Sequence, residues 1–156
     1  MGPGDNASKK DIETAFTLGK LIAEQGWTLL SGGRNAGVMD SVNRGAKSVG
    51  GLTIGISPGK DASVLSEAVD IRIVTGMGSA RNVINVLSSD VVIACGEGGA
   101  GTASEIALTL KSKKQIVLLD ESAEAQAFFK KIGSDLVHVV ETPEAAVAEA
   151  KQILTI

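Results

Sequence analysis

The sequence predicts an α/β fold: a single doubly wound, Rossmann-like domain spanning residues 1–156, built on a mostly parallel sheet. Three observations predict it. Short apolar runs alternate with helical patterns along the whole chain, the signature of βα units. The runs are continuously apolar rather than alternating, as in parallel strands covered on both faces. Glycine clusters sit where strand-like runs give way to helices, the position of ligand loops in open α/β sheets.

Each element has its own local reason. Ser8 with Asp11 three residues on opens a helix whose apolar face is Ile12, Ala15, Phe16, Gly19, Ile22 and Ala23, and Gly26 stops it. Trp27–Ser31 reads as a strand, and a helix is expected from Val38 to Val49. Leu52–Ser57 is the next strand, closed by Pro58-Gly59, and residues 61–67 are a short helix or loop. Ile71–Val74 is a strand followed by a helix over Ser79–Leu87. Val91–Cys95 leads through glycines to a helix over Thr102–Lys111, and Ile116–Leu119 is a further strand. Ser122 caps a helix ending near Gly133, Leu136–Val140 is the last strand, and Thr142-Pro143 opens the final helix. No linker or low-complexity tract interrupts the pattern. One feature breaks the grammar: Met1-Gly2-Pro3-Gly4-Asp5 reads as a glycine loop of the kind that follows a strand, with no strand before it.

Composition narrows the function. Aromatics are 3% of residues and tyrosine is absent, which removes the stacking faces that single-stranded nucleic acid needs. The net charge of −3 also disfavours nucleic acid as a partner. The one cysteine, Cys95, lies in an apolar strand and is expected to be a buried, inert thiol. No secretory leader and no apolar run of membrane-spanning length is legible, so the expected location is cytoplasmic with no membrane partner. Low charge and apolar helices point to a homo-oligomer, a dimer or tetramer.

The chemistry concentrates in Gly96-Glu97-Gly98-Gly99-Ala100-Gly101-Thr102-Ala103-Ser104-Glu105. Glycines let successive N–H groups converge on one point, and the helix that follows adds unpaired amides and the positive end of its dipole. This segment predicts an oxyanion site, with the amides of Gly98 to Thr102 holding a phosphate or similar group. Two more loops share the edge: Gly32-Gly33 through Gly37, and Gly76-Met77-Gly78-Ser79 ahead of Arg81 and Asn82. A cation at a helix start opposes the dipole, so Arg81 reads as a ligand contact, with Ser79 beside it. The expected binding set is thus Gly32, Gly33, Gly78, Ser79, Arg81, Gly98, Gly99, Ala100, Gly101, Thr102 and Glu105. Glu105 has two readings: a chemical group, or one half of a capping box with Thr102. Arg34 reads as a solvated side chain, Asp40 as a helix cap, and His138 as structural or interfacial. No cluster of His, Cys and carboxylates supports a protein-ligated metal.

Three blocks resemble the LOG-like superfamily, often labelled "possible lysine decarboxylase". They are Gly32-Gly33 through Gly37-Val38-Met39 with Gly45-Ala46 and Gly50-Gly51; Met77 to Asn82; and Gly98-Gly99-Ala100-Gly101-Thr102-Ala103-Ser104-Glu105. The decarboxylase label implies pyridoxal phosphate, for which no lysine here has a Schiff-base setting. One branch of the superfamily implies hydrolysis of nucleoside 5′-monophosphates by the arginine and glutamate of the last two blocks, here Arg81 and Glu105. The other branch, the molybdenum cofactor carrier proteins, implies binding of molybdopterin-type cofactor without catalysis. Glu97, Gly78 and Asn82 replace the proline, histidine and lysine of the hydrolase pattern. Ala100 in the cradle and the Met-Gly-Pro-Gly start are similar to the carriers, and the carrier branch is the expectation.

Overall fold

The computed structural model describes residues 1–155. The elements are α1 (Lys9–Glu24), β1 (Leu29–Ser31), α2 (Gly37–Ser48), β2 (Thr53–Ser57), β3 (Ile71–Val74), a 3-10 turn (Gly78–Arg81), α3 (Asn82–Leu87), β4 (Val92–Cys95), α4 (Ala100–Lys111), β5 (Ile116–Leu119), α5 (Ala123–Gly133), a second 3-10 turn (Ser134–Leu136), β6 (Val137–Val140) and α6 (Pro143–Leu154). The fold is α/β and Rossmann-like, and all four strand pairings are parallel.

Local chemistry sets the helix ends as expected. Ser8 and Asp11 form a reciprocal capping box on α1, Ser122 and Thr142 cap α5 and α6, and Pro143 sits in the first turn of α6. The helix expected over Ser79–Leu87 divides instead: a 3-10 turn at Gly78–Arg81 precedes α3. Gly78, at φ 56°, takes up the left-handed conformation that this entry needs.

The sheet differs from the single sheet expected. It is two three-stranded halves, β1-β2-β3 and β4-β5-β6. Between β1 and β4 lies the first segment of the chain. Met1 runs beside β4, its amino group donating to the Ile93 carbonyl at 2.8 Å and its carbonyl accepting from the Cys95 amide at 2.9 Å. The chain then turns, with the Ala7 amide donating to Gly4 O at 3.0 Å. A second expectation also fails at one edge. β3 is exposed at every position, including Ile71, Ile73 and Val74.

Apolar packing fills both faces of the β4-β5-β6 half. Val117 and Leu119 face a core shared with α1, α2 and α6, while Ile116 and Leu118 face one shared with α4 and α5. β5 is therefore wholly buried. Helices α1 and α2 pack almost backbone to backbone. A Cβ on Gly19 would lie 2.0 Å from Val42 O, and one on Gly45 2.0 Å from Phe16 O. Glycine at both positions is a packing requirement there.

Candidate functional site

A cleft of about 1240 Å³ opens at the carboxyl ends of the strands and runs down between β1 and β4. Its upper wall is built by the loops singled out in the sequence. β4 ends at Cys95, and Gly96 turns the chain at φ 79° while its amide donates to Leu119 O at 2.9 Å. Gly99 is the N-cap of α4, with no side-chain cap. The amides of Ala100, Gly101 and Thr102 fall in the first turn, where an α-helix offers them no carbonyl. They carry the positive end of the helix dipole.

The glycines here divide into two kinds. A Cβ on Gly98 would meet the Thr102 side chain at 2.2 Å, so packing excludes any larger residue. A Cβ on Gly99 or Gly101 would meet nothing within 4 Å, and neither residue has positive φ. Internal packing and backbone conformation therefore give no reason for glycine at 99 and 101. Both line the cleft, and open space lies where their side chains would stand.

The capping-box reading of Glu105 is corrected. α4 begins at Ala100 rather than Thr102, which makes Thr102 a residue of the first turn and places Glu105 in the helix body. Glu105 is 9% exposed, and its Oε1 accepts from Arg81 Nη1 at 3.4 Å and from Asn85 Nδ2 at 3.3 Å. Arg81 closes the 3-10 turn and is itself buried at 7% exposure. Its Nη1 also donates to Asn82 Oδ1, while its Nε is buried without a partner among the described residues. Burial holds the guanidinium's pKa below its ordinary value, and the charge of Arg34 lowers it further, against the attraction of Glu105. A Cβ on Gly32 would lie 2.6 Å from Arg81 Nη2, so Gly32 makes room for the arginine.

The structure brings Gly32, Gly78, Ser79, Arg81, Gly98, Gly99, Gly101, Thr102 and Glu105 to this one cleft. Gly33 and Ala100 do not line it. Gly33 instead packs at φ 73° against Leu65 and Gly55, and its amide is taken by Ser31 Oγ at 3.1 Å. Two participants, Asn85 and Glu121, escaped the sequence reading, and a third, Asn82, was named there without a binding role. Asn85 shares Glu105, and its Oδ1 is buried without a partner. Asn82 reaches Ser104 Oγ at 3.5 Å. Glu121, just past β5, is buried in the same cleft. Two asparagines three apart in an otherwise apolar helix were the available signal for Asn82 and Asn85.

Other expectations resolve as follows. Asp40 does not cap α2; it accepts from Ser66 Oγ at 2.5 Å and Arg44 Nε at 2.7 Å. Arg34 is tied to Asp5 at 3.2 Å at the cleft rim rather than free in solvent. His138 is held between Gln115 at 2.8 Å and Glu149 at 2.6 Å on β6, a structural setting. Cys95 is 1% exposed, and burial pushes its thiol up to about 12. Among the described residues no group of three or more His, Cys, Asp or Glu could hold a metal, and no helix is long and apolar enough to cross a membrane.

Glycine loops, a buried arginine and a helix start meet at the carboxyl edge of parallel strands in a Rossmann-like domain, the edge where open α/β sheets carry their ligand loops. The model of the SLOG cluster4 family matches residues 1–147, and the chain belongs to that family. An uncharacterised protein of Archaeoglobus fulgidus is 44% identical over 147 residues, covering 94% of this chain and 89% of its own. The molybdenum cofactor binding protein of Rippkaea orientalis superposes with a TM-score of 0.96 at 51% identity, over 99% of this chain and 94% of that one. The molybdenum cofactor carrier protein of Chlamydomonas reinhardtii does so at 0.94 and 50% identity, over 100% and 96%. A cytokinin riboside 5′-monophosphate phosphoribohydrolase of Mycobacterium tuberculosis is 34% identical over 97 residues; the match spans 61% of this chain and 51% of that enzyme.

Proposed function

We propose that this protein is a molybdenum cofactor carrier, which holds the phosphate-bearing pterin as cargo in the cleft and performs no chemistry on it. One observation carries the reading. Gly99 and Gly101 are glycines that nothing in the protein requires, and they flank first-turn amides beside a buried arginine with an unpartnered Nε. A bound oxyanion gives the buried guanidinium a counter-charge beyond Glu105 and accounts for the open space. The donor set fits a phosphate: amides of Gly99 to Thr102 on one side, Arg81 on the other, with Gly32, Gly78 and Ser79 as neighbours. In this reading residues 1–156 act as one binding unit, and the metal is held by its pterin rather than by protein ligands. The likeness to the two cofactor-binding proteins at about half identity supports it.

Self-association belongs to the same proposal. Ile71, Ile73, Val74, Met77, Val83 and Leu87 are all exposed along one stretch of chain that begins with an uncovered edge strand. Exposed apolar side chains so grouped in sequence fit an interface between copies, as a dimer or tetramer.

The second reading is hydrolysis of a nucleoside 5′-monophosphate, favoured by the meeting of Arg81 and Glu105 in one cleft. Against it, both donors to Glu105 are protein side chains, and the carboxylate is engaged before any sugar arrives. Incubation with AMP decides between them. A carrier releases little or no ribose 5-phosphate; robust turnover abolished by Glu105→Ala, with the fold intact, would install the hydrolase.

A further inference from the structure

A carboxyl group sits beside the cradle with no role in the account so far. The chain leaves β5, turns at Asp120 with φ 57°, and enters the α5 cap at Ser122. Glu121, held between these points, is 8% exposed and lines the same cleft as Glu97, Gly98 and Gly99. Its Oε1 is buried with no hydrogen-bond partner among the described residues. An ionised carboxylate oxygen without a donor is strongly disfavoured away from water. The groups that act on it are the carboxylates of Glu97 and of Asp11 from α1, the Gly98 amide and the Met1 amino group. Lys10 is engaged by Asp120, the residue before Glu121, at 2.5 Å.

We propose that Glu121 is the proton-holding group of the anion site: its carboxyl is neutral when the cradle is filled and donates its O–H to the bound oxyanion, so an anion that binds above the titration of the free site takes up one proton. The inference rests on the cradle being an oxyanion site. The proton comes from solvent to the Glu121 carboxylate, and no bond of the anion changes. Burial, then Glu97 and Asp11, raise this carboxyl to about 7, against the Gly98 amide and the Met1 amine. A filled cradle adds a further negative charge and raises it more. Anion affinity then falls about tenfold per pH unit above the titration of the free site.

Sulfate is the probe, because its charge is constant across the range. Its dissociation constant is measured between about pH 6 and about pH 8.5 for the wild type and Glu121→Gln, with binding heats in two buffers of different ionisation enthalpy to count protons. The wild type is expected to take up close to one proton at about pH 8.5 and almost none at about pH 6, and to weaken about tenfold per unit above about pH 7. Glu121→Gln, which keeps an N–H donor, is expected to bind independently of pH. Sulfate binding that is flat with pH in the wild type overturns the role of Glu121 and leaves the cradle standing. A pH dependence that persists in Glu121→Gln assigns the proton to another group and also overturns it. Absence of sulfate binding at every pH removes the cradle reading and this proposal together. Should the variant not fold, the proton count on the wild type at about pH 8.5 decides alone, and a count of zero there overturns the proposal.

Discussion

Arg81 and Glu105 meet inside the cleft, Nη1 to Oε1 at 3.4 Å, with side chains only 9% and 12% exposed. The contact is long for a charge-assisted bond. Glu105 draws a second donor from Asn85, and Arg81 keeps Nε unpartnered. The carboxylate therefore anchors the arginine without satisfying it. Removing either partner leaves a buried charge behind, so Glu105→Ala should destabilise by about 1–3 kcal/mol. In a double-mutant cycle with Arg81→Ala, the two losses should be less than additive, by about 0.5–3 kcal/mol in chemical denaturation. Strict additivity would mean that the pair does not interact.

Arg81→Ala should also weaken cargo or sulfate binding. A charge-assisted bond of about 1.5–3 kcal/mol corresponds to roughly ten- to hundredfold in affinity. Unchanged affinity, alongside lowered stability, would make Arg81 purely a partner for Glu105.

The two kinds of glycine give a sharper test. Gly99→Ala and Gly101→Ala should leave stability near the wild type, or raise it by about 0.5–1 kcal/mol at position 101 inside α4. Both should reduce anion binding, because the new methyl enters the open space. Gly98→Ala should destabilise, since its Cβ would meet Thr102 at 2.2 Å. Thermal melts with and without sulfate separate the two classes.

Stability should depend on pH through Glu121. Its carboxyl is raised to about 7 in the folded protein, so the folded state holds the proton more tightly than the unfolded chain does. The resulting stability is full below the unfolded carboxyl range of about 4.3 and is lost as pH rises through about 7. Melting temperature should fall across that window, and Glu121→Gln should flatten the fall.

Much of this was legible in the sequence because it depends on local rules. The helix caps at Ser8, Ser122 and Thr142 are short-range hydrogen-bond patterns, and the bounds of Ile71–Val74 and Ile116–Leu119 follow from apolar runs between turn signals. The loops at 32, 78 and 98 were legible because glycine clusters ahead of helices have few other uses. What escaped depends on tertiary placement. Thr102 and Glu105 have capping-box spacing, yet α4 starts two residues earlier, at Ala100, because Gly99 serves as its N-cap. Asn85 and Glu121 acquire meaning only when α3 and the end of β5 converge on one cleft. The division of the sheet into two halves was not legible, although the Met1–Asp5 glycine loop without a strand before it marked the place, and Met1 runs beside β4.

The central claim is that the cleft carries molybdenum cofactor. Native mass spectrometry of protein purified without oxygen, from cells that make the cofactor, tests it most directly. The expected result is a bound species whose mass and elemental content match a phosphorylated pterin with molybdenum, lost in Gly99→Ala and Gly101→Ala. A purine nucleotide in its place, or a cofactor signal unaffected by both substitutions, would contradict it.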